Sequence, residues 1–187
     1  MSIFNTVLQS ATLSIISNIL AQVIDAYRKN IPLSLNINPI LQFVTYSILN
    51  TPLNCYWQDF IESAFPSNVT TDVEVPNKTD EKAKALQRKQ VFSVKNTLIK
   101  FALDQTLGAA VNIPLFIGII GMTKGQSLDT ITNSVKADFV DIYLSGMKLW
   151  PAVSLISFTV LPANRRVIFG SLAGVAWNIY LSLRSSR

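Results

Sequence analysis

Residues 96–122 read NTLIKFALDQTLGAAVNIPLFIGIIGM, and this stretch decides the fold. From Ala110 to Met122 it is almost wholly apolar, and the whole run exceeds the roughly 20 residues a helix needs to cross a hydrocarbon core. Lys100, Asp104 and Gln105 fall in its first turns and Pro114 in its middle. The rest of the chain has the same character: 49% of residues are hydrophobic and only 14% are charged. Soluble domains carry roughly 25% charged residues, so there is too little charge here to cover a water-facing surface.

Working outward from that span, residues 63–94 form an aqueous loop with Pro66, Pro76 and mixed charges. Its Lys- and Glu-rich part, Asp80 to Lys89, suits a short surface helix. Asn68-Val69-Thr70 and Asn77-Lys78-Thr79 match the glycosylation sequon, a pattern that arises often by chance. Before the loop, Pro39 to Phe60 is a second span, with Pro52 inside it as a kink and Tyr56 and Trp57 near an interface. Ile31 to Asn38 reads as a turn, and Ile3 to Val23 as the first span. Thr6, Gln9, Ser10, Ser14, Ser17, Asn18 and Gln22 interrupt it, and many recur at spacings of three or four, which puts them on one side of a helix for packing. The stretch lacks a basic n-region and a small-residue cleavage site, so it is expected to stay in the mature protein.

After the third span, Lys124 to Lys148 is amphipathic. Leu128, Ile131, Val135, Phe139, Ile142 and Leu149 share helical spacing, which suits a helix on the membrane surface or under the bundle. Leu149 to Leu161, bounded by Pro151 and Pro162, is short for a crossing and suits a tilted or re-entrant piece. Val167 to Leu183 is nearly full length. The pattern predicts an all-α, polytopic membrane helix bundle of about four transmembrane helices, with a fifth short or re-entrant segment and an amphipathic surface helix, in one membrane domain over 1–187.

The net charge is +5, but Arg28, Lys29, Lys124, Lys136, Lys148, Arg165 and Arg166 sit in breaks between apolar runs. That placement suits headgroup anchoring and not a clustered nucleic-acid surface. The partner expected is the lipid bilayer, with a homo-oligomer or a larger membrane complex open. With no His and one Cys, Cys55, a His-based triad or metal site and an internal disulfide are excluded. CxxC, GxSxG, Walker A and dinucleotide-loop patterns are absent. Asp138 and Asp141 lack further clustered acids. No catalytic residue, metal or cofactor is expected, and the chain is expected not to be an enzyme.

The candidate functional residues are therefore polar groups within spans. Lys100 and Asp104 lie four apart on one helix face, and an ionisable group in a span is costly unless paired or wetted. Asp25, Lys100, Asp104 and Gln105 could line a polar cavity, or Lys100 and Asp104 could form an ion pair that fixes packing near the membrane edge. Gln22, Asn112 and Asn178 suit interhelical hydrogen bonds. Gly170-Ser-Leu-Ala-Gly174 is a GxxxG step that permits close helix approach, expected within the chain rather than at a dimer seam.

Lys100 with Asp104-Gln105, then Trp150-Pro151, Phe158-x3-Pro162-x2-Arg165-Arg166, and Trp177-Asn178-x-Tyr180-Leu181-Ser182, together resemble the peroxisomal membrane 22 kDa protein family. Ser17-Asn18-Ile-Leu-Ala21-Gln22 and Thr51-Pro52-x4-Trp57 fit more loosely, and fungal proteins of this kind are common in the family. The resemblance implies about four helices in a peroxisomal or mitochondrial inner membrane. It also implies a channel-like role in permeability to small metabolites and ions and in organelle homeostasis. Trp150, Pro151, Pro162, Arg165, Arg166, Trp177 and Asn178 match its motif positions. Asn54 and Cys55 stand where many relatives place a His, and Ala109-Ala110 where many place a Pro. The alternative is a non-catalytic structural or assembly subunit of a larger membrane complex; an accessory role in lipid or secondary-metabolite chemistry is a third.

Overall fold

The computed structural model describes residues 2–77 and 80–185, with side chains described outside 73–87 and 180–185. The architecture is mostly helical. Helix α1 spans Ile3–Lys29 and α2 spans Ile37–Ala64. An antiparallel hairpin of β1 (Asn68–Asn77) and β2 (Asp80–Phe92) follows. Next comes one long helical rod: α3 (Val94–Leu103), a π-helical turn (Asp104–Gly108) and α4 (Ala109–Thr123). The chain then forms α5 (Leu128–Gly146), α6 (Trp150–Val160) and α7 (Ala163–Ser185).

The hairpin corrects two expectations: the fold is not all-α, and Asp80 to Lys89 forms strand, not a surface helix. The β-branched run of β1 supplies a pairing partner, with Asp72 opposite Arg88 and Val69 opposite Val91. That pairing overrides the local helix preference of Lys, Glu, Ala and Leu. Lys78 and Thr79 of the second sequon lie outside the described residues. So do the side chains of Tyr180, Leu181 and Ser182, and Arg187 altogether.

By length and composition, α1 and the rod Val94–Thr123 can each cross a membrane. The pair α5 and α6, bent by 58° at its break, adds a third candidate if taken as one broken span. Helix α2 has the length, 28 residues, but is not among these candidates; Gln42, Asn50, Asn54, Gln58 and Asp59 dilute its apolar content. The four expected crossings therefore reduce to two or three by this measure among the described residues.

Helix α1 packs on α7 and α2 through the expected polar side. Thr6, Ser10, Ser17 and Asn18 are buried there, while Phe4, Leu8 and Ile16 face outward. Ser10 and Ser171 hydroxyls meet at 2.9 Å, and Asn178 donates to Ser17 Oγ at 2.9 Å. Gln22 clamps the turn before α2, donating to the Asn36 carbonyl at 2.9 Å and accepting from its N–H at 2.7 Å. An inside-polar, outside-apolar helix is the arrangement a lipid environment selects.

The GxxxG expectation needs correcting. A Cβ added at Gly170 or Gly174 would meet nothing within 4 Å, because Ser171 and Asn178 carry the α1 contact instead. Close approach occurs at Gly121, where a Cβ would sit 2.7 Å from Ile131 Cγ1 and 2.9 Å from Gln126 Oε1. We expect Gly121→Ala to cost about 1–3 kcal/mol by overpacking the α4–α5 turn, and Gly170→Ala to cost under about 0.5 kcal/mol. Thermal unfolding of the detergent-solubilised variants checks the contrast.

On α5, Ile131 is buried and Val135, Phe139 and Ile142 are half-buried, as the spacing predicts, whereas Leu128 is exposed. Trp150 packs against Gly146, where a Cβ would lie 3.1 Å from its ring. Pro151 occupies the first turn of α6, and Pro162 precedes α7, positions where a missing N–H does no harm.

Candidate functional site

Buried polar residues line the contact between α2 and the α3–α4 rod. On the rod, Lys100, Asp104, Gly108 and Asn112 recur every four residues. An ordinary helix would let such a row drift around its axis. The wider i→i+5 turn over Asp104–Gly108 turns the row back toward α2. Opposite it, α2 presents Tyr46, Asn50, Asn54, Trp57 and Glu62.

At one end, Glu62 receives two cations. Lys100 Nζ donates to Glu62 Oε2 at 2.6 Å and Arg166 Nη1 donates to the same oxygen at 2.8 Å. The Lys100 and Arg166 side chains are 0% and 3% exposed, and Glu62 is 27% exposed. Ser67 joins them: its N–H donates to Glu62 Oε1 at 2.8 Å, and its hydroxyl accepts from Lys100 and Arg166. Both cations lie over the Phe158 ring, 5.5 and 5.0 Å from its centroid. Arg166 Nε also donates to the Ser157 and Leu161 carbonyls at 3.1 Å each. Both carbonyls lie at the end of α6, where helix donors run out; Ser157 also accepts from the Leu161 N–H at 3.2 Å.

One turn along, Asp104 accepts from Trp57 Nε1 at 3.1 Å and from the Ser154 hydroxyl at 2.6 Å. Gln105 reaches Asp104 only at 3.5 Å. Gly108 lies against this node, where a Cβ would make an ordinary 3.4 Å contact with the Asp104 carboxyl. Two cations and two carboxyl groups thus gather at this end of the seam.

Farther along, Asn50 and Asn54 both donate to Asn112 Oδ1, at 3.2 and 3.3 Å. Asn50 also donates to Tyr46 Oη at 2.8 Å, and Asn112 donates to the Gly108 carbonyl at 2.9 Å. Asn50 is 8% exposed, and its Oδ1 has no hydrogen-bond partner. At the far end, Asn38, Leu41, Gln42, Thr45, Thr123 and Lys124 line an open cavity of about 480 Å³.

Three expectations change here. Lys100 pairs with Glu62 and not with Asp104, although both rod residues face α2. Asp25 is not in the seam; it pairs with Lys29 at 2.7 Å on the surface of α1. Arg166 is buried in the seam and not a headgroup anchor, unlike its exposed neighbour Arg165. Sequence reasoning did not single out Glu62, Ser67, Ser154 or Asn50. The available signal was the four-residue spacing of Tyr46, Asn50 and Asn54 on α2.

Residues 121–182 match the model of the Mpv17 / PMP22 family. Over these residues the chain is similar to that family. This is the family its C-terminal motifs resemble, and Trp150, Pro151, Pro162, Arg165, Arg166, Trp177 and Asn178 all fall inside the matched segment. The chain is 33% identical over 89 residues to Protein SYM1 of Yarrowia lipolytica, covering 48% of this chain and 44% of that protein. It is 26% identical over 180 residues to PXMP2/4 family protein 3 of Dictyostelium discoideum, covering 96% and 82%. It is 31% identical over 96 residues to Mitochondrial inner membrane protein Mpv17 of Caenorhabditis briggsae, covering 51% and 50%. The matches thus span about half the length of the SYM1 and Mpv17 relatives. No solved structure matches the chain. Within the matched segment, Ser154, Phe158 and Arg166 reach the seam; Lys100, Asp104 and Glu62 come from outside it.

Proposed function

We propose that this chain is a multi-pass protein of an organelle membrane, peroxisomal or mitochondrial, that lets small polar solutes or ions cross and so sets the organelle's permeability. In this reading α1, α2, the α3–α4 rod and α7 make four crossings, the bent pair α5–α6 adds a broken one, and the chain performs no catalysis. The polar seam between α2 and the rod carries the proposal. From Gln42 to Glu62 the seam rises about 30 Å at 1.5 Å per residue, close to the thickness of a hydrocarbon core. Polar side chains buried at membrane depth mark solute pathways when they are not simple packing contacts. The name of the Caenorhabditis briggsae relative states a mitochondrial inner membrane, which supports the compartment.

Purified protein in planar bilayers tests this function. Discrete conductance steps are expected, altered when Asn112 is replaced by Leu to put an apolar group in the seam. Silence at all voltages and redox states would sink the channel role.

A further inference from the structure

The polar seam is interrupted once. Phe116 stands one helical turn beyond Asn112 and about two turns short of Thr123. Its ring meets Tyr46 edge-on with centroids 5.2 Å apart and Phe43 at 5.9 Å. On one side of this aromatic group lies the open cavity of about 480 Å³ with Gln42, Thr45 and Thr123 in its wall. On the other side lie Asn50, Asn54 and Asn112, with the unpartnered Asn50 Oδ1. The cavity and the amide group share α2 and α4, and the ring cluster stands between them.

We propose that Phe116, seated on Tyr46 and Phe43, is a plug that divides the seam into an open vestibule and a closed amide chamber. The chamber takes a small hydrogen-bond donor, with water as its resting occupant. Three observations converge on this. A buried acceptor without a partner is costly, so Asn50 Oδ1 calls for a donor. The neighbouring amides leave it none, because Asn54 Nδ2 is directed at Asn112 Oδ1 and Asn112 Nδ2 at the Gly108 carbonyl. An apolar constriction between two polar compartments blocks passage by excluding water and needs no charged gate. Edge-on ring contacts keep the plug in place while leaving Phe116 free of hydrogen bonds that would have to break. The plug rests on the proposed permeability role, because it names what controls that same path.

Thiol labelling reads the plug without any current. The full chain is reconstituted in liposomes with Cys55→Ser and Asn54→Cys, and aminoethyl methanethiosulfonate is added from outside. Labelling is expected to be slow with Phe116 present and to quicken about tenfold or more in Phe116→Ala, the factor that follows when a barrier falls by about 1.4 kcal/mol. Phe116→Trp, which keeps a ring in the gap, should stay slow. Fast labelling with Phe116 intact, an unchanged rate in Phe116→Ala, or equal acceleration in the Ala and Trp variants would each overturn the plug. Bilayer currents from the same proteins separate the two ideas. Accelerated labelling in a silent protein upholds the plug and refutes conduction. Conduction with unchanged labelling refutes the plug alone.

Discussion

Glu62→Gln is expected to destabilise the protein by about 3 kcal/mol, the lower end of the range for leaving a buried charge without its partner. Lys100 and Arg166 both direct a donor at Glu62 Oε2, and neither cation has appreciable exposure. Glutamine keeps the volume and one acceptor but removes the negative charge that both cations face. The lower end applies because the Glu62 side chain is 27% exposed, so water reaches its outer edge and screens part of the loss. Thermal unfolding in a mild detergent measures it. The double variant Glu62→Gln, Lys100→Met should recover part of the loss, since neighbours in one network couple by about 0.5–3 kcal/mol. A melting curve for Glu62→Gln that overlays the parent would show that the cluster holds nothing.

The second large effect is expected at Arg166, for a different reason. Its guanidinium caps α6 through Nε, on the Ser157 and Leu161 carbonyls, and reaches Glu62 and Ser67 through its two terminal nitrogens. A lysine ammonium is a single point of charge on a flexible stem and cannot span carbonyls and carboxylate at once. Arg166→Lys should therefore lose about 3 kcal/mol despite keeping the charge, as the α6 carbonyls forfeit charge-assisted bonds worth about 1.5–3 kcal/mol each. Arg165→Lys supplies the control: that side chain is exposed, and the change should fall within about 0.5 kcal/mol. Equal melting temperatures for the two lysine variants would remove the capping role from Arg166.

How much of this was legible in the sequence depends on how far apart the partners lie. The polar side of α1 was readable because Ser10, Ser17 and Asn18 repeat at helical spacing within one helix. The inward side of α5 was readable for the same reason, and Pro151 and Pro162 framed α6 because proline limits helices locally. Lys100 is buried, but its partner Glu62 lies 38 residues away, across the hairpin. Spacing arguments reach only three or four residues, so Asp104 stood in for it. The π-helical turn has no clear sequence signature, yet it is what aligns Asp104, Gly108 and Asn112 on one side. The Gly170–Gly174 step misled because a GxxxG pattern states what a helix permits and not what stands next to it. Asp25 misled in a similar way: proximity to a span in sequence did not bring it to the seam, and Lys29, one turn on, claimed it first.

The hairpin has a mechanical consequence for the charge cluster. Ser93 N–H donates to the Ser67 carbonyl at 2.8 Å, which pins the root of the ribbon to the residue whose hydroxyl touches both buried cations. The ribbon runs ten paired positions from that root, roughly 30 Å at about 3.4 Å per residue. An isolated two-stranded ribbon is marginally stable, so by itself it transmits little. Anything that stiffens it by gripping its length turns it into a lever with its fulcrum at Ser67. A push at the tip would then become torque on the Lys100–Glu62–Arg166 cluster, shifting helices that lie a full arm's length away.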